Sequence, residues 1–158
     1  MSPIDYFKLQ AKKLFKDYKT QTVVDEGDFT YFTYSPTFFD IDQIFIDYDW
    51  DEENFSLMKA QHLFAMMIGF NSWSDFLNAP RAEQELAKLL WDNQHKISLP
   101  DWEMYLLRAE AMNGEKFRPE TKLEVFRAVF AEVEGHHNPF LDYRLNERNK
   151  DRIAISER

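Results

Sequence analysis

Between residues 20 and 58 this chain carries ten acidic and ten aromatic side chains and no lysine, arginine or histidine. The acids are Asp25, Glu26, Asp28, Asp40, Asp42, Asp47, Asp49, Asp51, Glu52 and Glu53. They interleave with Phe29, Tyr31, Phe32, Tyr34, Phe38, Phe39, Phe45, Tyr48, Trp50 and Phe55. The formal net charge of the whole protein is −9, so everything outside this quarter of the chain is close to neutral. A solvated acidic tail lacks the apolar surface that offsets the entropy of ordering, whereas a segment this rich in rings has it. The segment is therefore expected to fold and to present a negative surface.

A length of 158 residues suits one domain that buries a core without staples, and aromatics at 16% supply that core. No cysteine is present, which excludes disulfides, thiolate metal sites and a cysteine nucleophile. The opening Met-Ser-Pro-Ile-Asp-Tyr lacks the basic and apolar regions of a signal peptide, and no stretch approaches the roughly 18 apolar residues of a membrane span. A soluble cytoplasmic protein is the expectation, with no membrane association. A pI near 4.9 opposes general affinity for phosphate backbones, which depends on Lys and Arg displacing counterions. No nucleic acid is expected as a partner, and a basic protein partner is favoured.

Helical signals dominate the rest of the chain. Ser2, Pro3 and Asp5 form a capped start for a helix to about Lys19, with Ile4, Phe7, Ala11, Leu14, Phe15 and Tyr18 on one face and Lys8, Lys12, Lys16 and Lys19 on another. After Gly27 the β-branched and aromatic run Phe29 to Tyr34 predicts a strand, and Ser35-Pro36 before Phe38 to Ile41 suggests a short hairpin. Residues 40 to 48 fit a second strand and a helical turn equally well. A helix follows from Asn54 to Gly69, then a short one from Ser72 to Leu77, and a third from about Arg81 to His95 that buries Leu86, Leu89 and Leu90. Ser98 to Asp101 opens another helix, with Trp102, Tyr105, Leu106, Ala109 and Met112 inward and Gly114 at its end. Pro119 starts the last, with Leu123, Phe126, Val129, Phe130 and Val133 as its stripe before Gly135. The predicted fold is mainly α: a compact bundle of five or six helices with a small β hairpin in an acidic aromatic insertion. Residues 1–135 form the helical domain and residues 136–158 a tail, partly docked through Phe140, Leu141, Tyr143 and Leu145.

Chemistry-bearing motifs are sparse. Asp47, Asp49 and Asp51 occupy the first, third and fifth positions of an EF-hand loop, but Glu52 stands where glycine makes the turn and Met58 where a bidentate glutamate closes the site. Glu134 and His137 have the spacing of a Glu-x-x-His ligand pair, yet Gly135 interrupts the helix that would present them and no second such pair occurs. His62 and His95 read as buried or boundary histidines within helices rather than ligands. There is no nucleophile elbow, Walker loop or dinucleotide fingerprint, and the helix-turn-helix-like spacing around Gly69 carries no Lys or Arg from Ala60 to Pro80. No metal and no cofactor is expected.

The run from Leu57 to Leu77, with Gly69-Phe70 ending one helix and Ser72-Trp73 opening the next, resembles a helical segment of bacterial glyoxalase-related and other uncharacterised proteins. The resemblance covers about 21 residues and implies an α-helical module in a bacterial setting. It implies neither the glyoxalase fold, which needs β-rich modules with metal ligands on strands, nor any catalytic residue. Its physical content is a left-handed cap at Gly69 and a turn pinned to the core by Phe70 and Trp73.

The function expected from the residues is a noncatalytic binding or regulatory protein that offers its acidic aromatic surface to a basic partner through Asp47, Asp49, Trp50, Asp51 and Glu53. The alternative is a small metal-dependent hydrolase built from Asp47, Asp49, Asp51 and a histidine such as His62.

Overall fold

The computed structural model describes residues 1–140 and 142–146. It is mainly helical, with seven α-helices and one two-stranded hairpin among the described residues. In order these are α1 (Pro3–Tyr18), β1 (Thr22–Asp25), β2 (Thr30–Thr33), α2 (Ile41–Tyr48), α3 (Leu57–Met67), α4 (Trp73–Asn78), α5 (Arg81–Asp92), α6 (Leu99–Asn113) and α7 (Pro119–Phe126), which continues as a π-helical turn, Arg127–Ala131. Serine starts four of the helices. Ser2, Ser56, Ser72 and Ser98 each accept the backbone N–H three residues on, at 3.1, 3.2, 3.0 and 3.2 Å, satisfying donors that the first turn leaves unpaired.

The chain divides into two compact units. Of the described residues, one comprises 1–6 and 63–140, the other 7–62 with 142–146. The core of the first unit gathers Leu86 and Leu90 of α5, Ile97, Trp102 of α6, Leu123 and Phe126 of α7 and Phe130 of the π-helical turn. Trp102 meets Phe126 and Phe130 edge-on at 5.1 and 6.0 Å, an arrangement that aromatic quadrupoles favour. The π-helical turn has no sequence signature, and polar side chains hold its last carbonyls. Lys96 Nζ donates to the carbonyls of Phe130 and Ala131 at 3.3 and 3.0 Å, and His136 Nε2 to that of Val129 at 2.8 Å.

Gly69, with φ of 99°, ends α3, and a Cβ there would stand 3.3 Å from the Leu99 side chain. Phe76 is fully buried and packs against Phe70 and Trp73, each at 5.3 Å. Trp73 itself is only half-buried, so Phe76 is the anchor of this turn. One boundary and two inward assignments differ from expectation. Helix α5 stops at Asp92, leaving His95 exposed beyond it; Met112 is 89% exposed because α6 turns it outward in its last turn; and Val133 follows the π-helical turn, whose wider winding carries it out of the stripe to 38% exposure.

In the second unit α1 buries Phe7, Gln10, Ala11, Leu14 and Asp17 and leaves Lys8, Lys12, Lys16 and Lys19 exposed. The hairpin corrects the expected pairing. β2 lies where the aromatic run predicted a strand, but its partner is β1, upstream of Gly27, in antiparallel register from Thr22↔Thr33 to Asp25↔Thr30. Gly27, at φ of 85°, makes the reversal. Residues 41–48, which fitted strand and helix alike, form α2, capped by Asp40 through the Gln43 N–H. Phe39 forms an isolated antiparallel bridge with Arg144. Around it Asp40 N–H donates to the Tyr143 carbonyl at 2.8 Å and Leu145 N–H to that of Phe38 at 3.0 Å. Tyr143 and Leu145 are half-buried there, whereas Phe140 is 71% exposed and does not dock; Leu141 lies outside the described residues.

Candidate functional site

The acidic aromatic segment is ordered from its rings. Phe45 and Phe55 are buried at 5% and 9% exposure. Tyr18 of α1 stands 6.2 Å from Phe45 and 5.0 Å from Phe55, Tyr34 is 6.0 Å from Phe45, and Trp50 meets Phe55 edge-on at 6.3 Å. Hydroxyls and one amide tie the cluster to the backbone. Tyr18 Oη and Gln21 Nε2 both donate to the Glu52 carbonyl, at 2.8 and 2.9 Å, while Tyr34 Oη donates to Glu52 Oε1 at 2.9 Å. Burial above all pushes the Tyr34 hydroxyl far above the ordinary tyrosine pKa; the bond donated by Gln21 lowers it in part, and the Glu52 carboxylate that accepts from the hydroxyl raises it further.

A residue outside the acidic run holds its centre. Asp17, on the buried face of α1 at 2% exposure, accepts the backbone N–H groups of Thr37, Phe38 and Phe39 at 2.8, 2.9 and 2.8 Å. One carboxylate thereby satisfies three consecutive donors that no strand pairs. The sequence held a signal for it: Asp17 sits three residues after Leu14 and ten after Phe7, on the stripe the apolar residues define.

The carboxylates of the segment behave differently. Asp49, Asp51 and Glu53 are exposed. Asp49 caps α2 in the left-handed conformation at φ of 49°, a geometry Asp tolerates better than most residues. Asp51 accepts only the Glu53 N–H, at 2.9 Å, two residues on. Asp49, Asp51 and Glu53 take part in no ion pair among the described residues, whose pairs are Arg81–Glu85, Arg127–Glu85, Lys88–Asp92 and Arg144–Asp142. Asp47 is exposed too but serves the fold, accepting from Gln43 Nε2 at 2.7 Å and from the Tyr143 hydroxyl. Burial, followed by that bond and the charge of Asp47, raises the Tyr143 hydroxyl well above its usual range. Burial and the neighbouring Asp40 raise the Asp42 carboxyl, and burial and Asp47 raise Tyr48.

Of the residues singled out from sequence, Trp50 is half-buried, with one side against Phe55 and the other 5.8 Å from the His62 ring. The large apolar side chains that reach solvent in the segment include, beside Met58 at 79% and Val23 at 59%, Ile46, 72% exposed on α2, and Phe29, 58% exposed and stacked on Tyr31 at 5.9 Å. Sequence reasoning passed over Ile46 and Phe29, because an apolar residue in an amphipathic run is assigned inward by default. Among the described residues no group of three or more His, Asp and Glu side chains is placed to hold a metal ion, and no helix is long and apolar enough to cross a membrane. The acids Asp47, Asp49 and Asp51 follow one another around the end of α2, where each has a separate local role. No protein-family model, no curated protein and no solved structure matches the chain.

Proposed function

We propose that this is a noncatalytic binding protein of the cytoplasm whose acidic aromatic segment presents a carboxylate surface to a basic protein partner. The observation that carries the proposal is the division of labour within the segment: Phe39, Phe45 and Phe55 are buried while Asp49, Asp51 and Glu53 are exposed and pair with no cation among the described residues. Like charges gathered at one surface repel one another, and a partner of opposite sign relieves that repulsion and is steered to it. Ile46, among the exposed residues Asp42 and Asp49, supplies an apolar contact of the kind that slows dissociation.

The test is affinity capture of basic proteins by the wild-type chain and by the triple variant Asp49→Asn, Asp51→Asn, Glu53→Gln at low and high salt. Capture should fall with the variant and with salt, since exposed charge pairs are screened beyond about 10 Å at 0.1 M. Equal, salt-insensitive capture by both chains would refute the electrostatic reading. Asp47 is kept out of the variant because its bonds to Gln43 and Tyr143 belong to the fold.

A further inference from the structure

Within that basic-partner reading, on which this inference rests, we propose that the outer edge of β1 accepts an extended strand of the partner, placing a β-branched side chain against Val23 and a lysine or arginine against Asp25. The sheet has two strands, and among the described residues no third strand lies beside either. The ladder's phase is fixed by the Glu26 N–H, which donates to the Phe29 carbonyl at 3.1 Å. Counting back through the register from Asp25↔Thr30 to Thr22↔Thr33, Val24 and Thr22 turn their backbone groups toward β2, so Val23 and Asp25 turn theirs outward. No backbone hydrogen bond among the described residues uses those outward groups. Thr22 and Asp25 are exposed and Val23 is 59% exposed, so this edge of the ribbon lies open to solvent among the described residues.

An unpaired edge is a template for another strand, and a lone two-stranded ribbon gains stability from a third. Charge selects the occupant. Asp25, Glu26 and Asp28 stand at the turn end of the edge, in a segment without a cation from residue 20 to 58. A second copy of the chain pairing there would crowd two such acid sets onto one ribbon, whereas a basic strand sets opposite charges across from them. Val23 and Asp25 share one face of the ribbon two residues apart, which fixes the spacing of apolar and cationic residues that the edge accepts.

The probe is a peptide of repeating Val-Thr-Lys-Thr, compared with the same peptide N-methylated at its valine and lysine amides, which keeps charge and side chains but cannot extend the ladder. The unmodified peptide should bind at least about tenfold more tightly, as the loss of a pair of ladder hydrogen bonds implies. Its binding should also slow hydrogen exchange at the Val23 and Asp25 amides. Val23→Pro should lower its affinity to that of the methylated peptide, because proline removes an outward N–H and leaves the bonds to β2 in place. Equal affinity of the two peptides with no slowing at Val23 and Asp25 would overturn the edge proposal while leaving a basic partner bound by charge alone. Binding of neither peptide would also overturn it, with the basic-partner reading still judged by the capture experiment. The peptide comparison uses the unaltered protein, so it decides the matter even where Val23→Pro impairs folding.

Discussion

Asp17 and Asp49 are the same amino acid with opposite roles, and substitution should separate them. Asp17→Asn keeps one acceptor oxygen where three backbone donors converge, so it should cost about 3 kcal/mol in urea unfolding, the scale of leaving buried donors unpaired. Asp49→Asn keeps a residue suited to the left-handed cap and removes only an exposed charge, so its cost should stay within about 0.5 kcal/mol. Equal effects would mean that the three donors find other partners. The turn after Gly69 gives a second contrast. Phe76→Ala should cost about 3 to 5 kcal/mol because the ring is fully buried, and half-buried Trp73→Ala clearly less. A larger loss at Trp73 would reverse the assignment of the anchor. From sequence, Trp73 looked the stronger candidate because helix spacing gives a residue's direction but not how much of its ring a neighbour covers.

At the level of elements, helix starts were legible because a serine cap announces itself: Ser2, Ser72 and Ser98 mark α1, α4 and α6 where the spacing placed them. The hairpin was half legible. β2 follows from its β-branched and aromatic run, but the choice between a partner upstream and one downstream depends on which turn closes, and Gly27 favoured the upstream one. The π-helical turn was not legible, since its wider winding depends on Lys96 and His136 reaching its carbonyls from elsewhere in the chain. Lys96→Met keeps much of the aliphatic stem and removes both bonds. It should cost about 1 to 2 kcal/mol and speed amide exchange in residues 127–133; unchanged exchange there would show that the turn holds without the ammonium group.

On the scale of the whole molecule, the acidic segment was legible as folded and negative from its composition, while the roles of its individual carboxylates were not. Asp47 and Asp51 look alike in sequence, and only the arrival of Tyr143 from far along the chain makes one of them part of the fold. Alkaline pH should expose that tie. Tyr34 and Tyr143 hold their protons in the folded state beyond the point at which unfolded tyrosine loses them, so the unfolded chain binds fewer protons there. The stability they contribute is intact below about pH 10 and is lost as pH rises through and beyond it. Tyr143→Phe should flatten this alkaline decline, and a decline of unchanged slope would assign it to other groups.

On the proposal above, Asp49, Asp51 and Glu53 serve a partner, while the buried rings around Phe45 and Phe55 serve the fold. Thermal unfolding of the Asp49→Asn, Asp51→Asn, Glu53→Gln variant beside the wild type tests it most directly. An equal or higher melting temperature is expected at low salt, because the substitutions relieve repulsion and break no ion pair among the described residues. A melting temperature lower by more than about 5 °C would contradict it and make these carboxylates part of what holds the protein together.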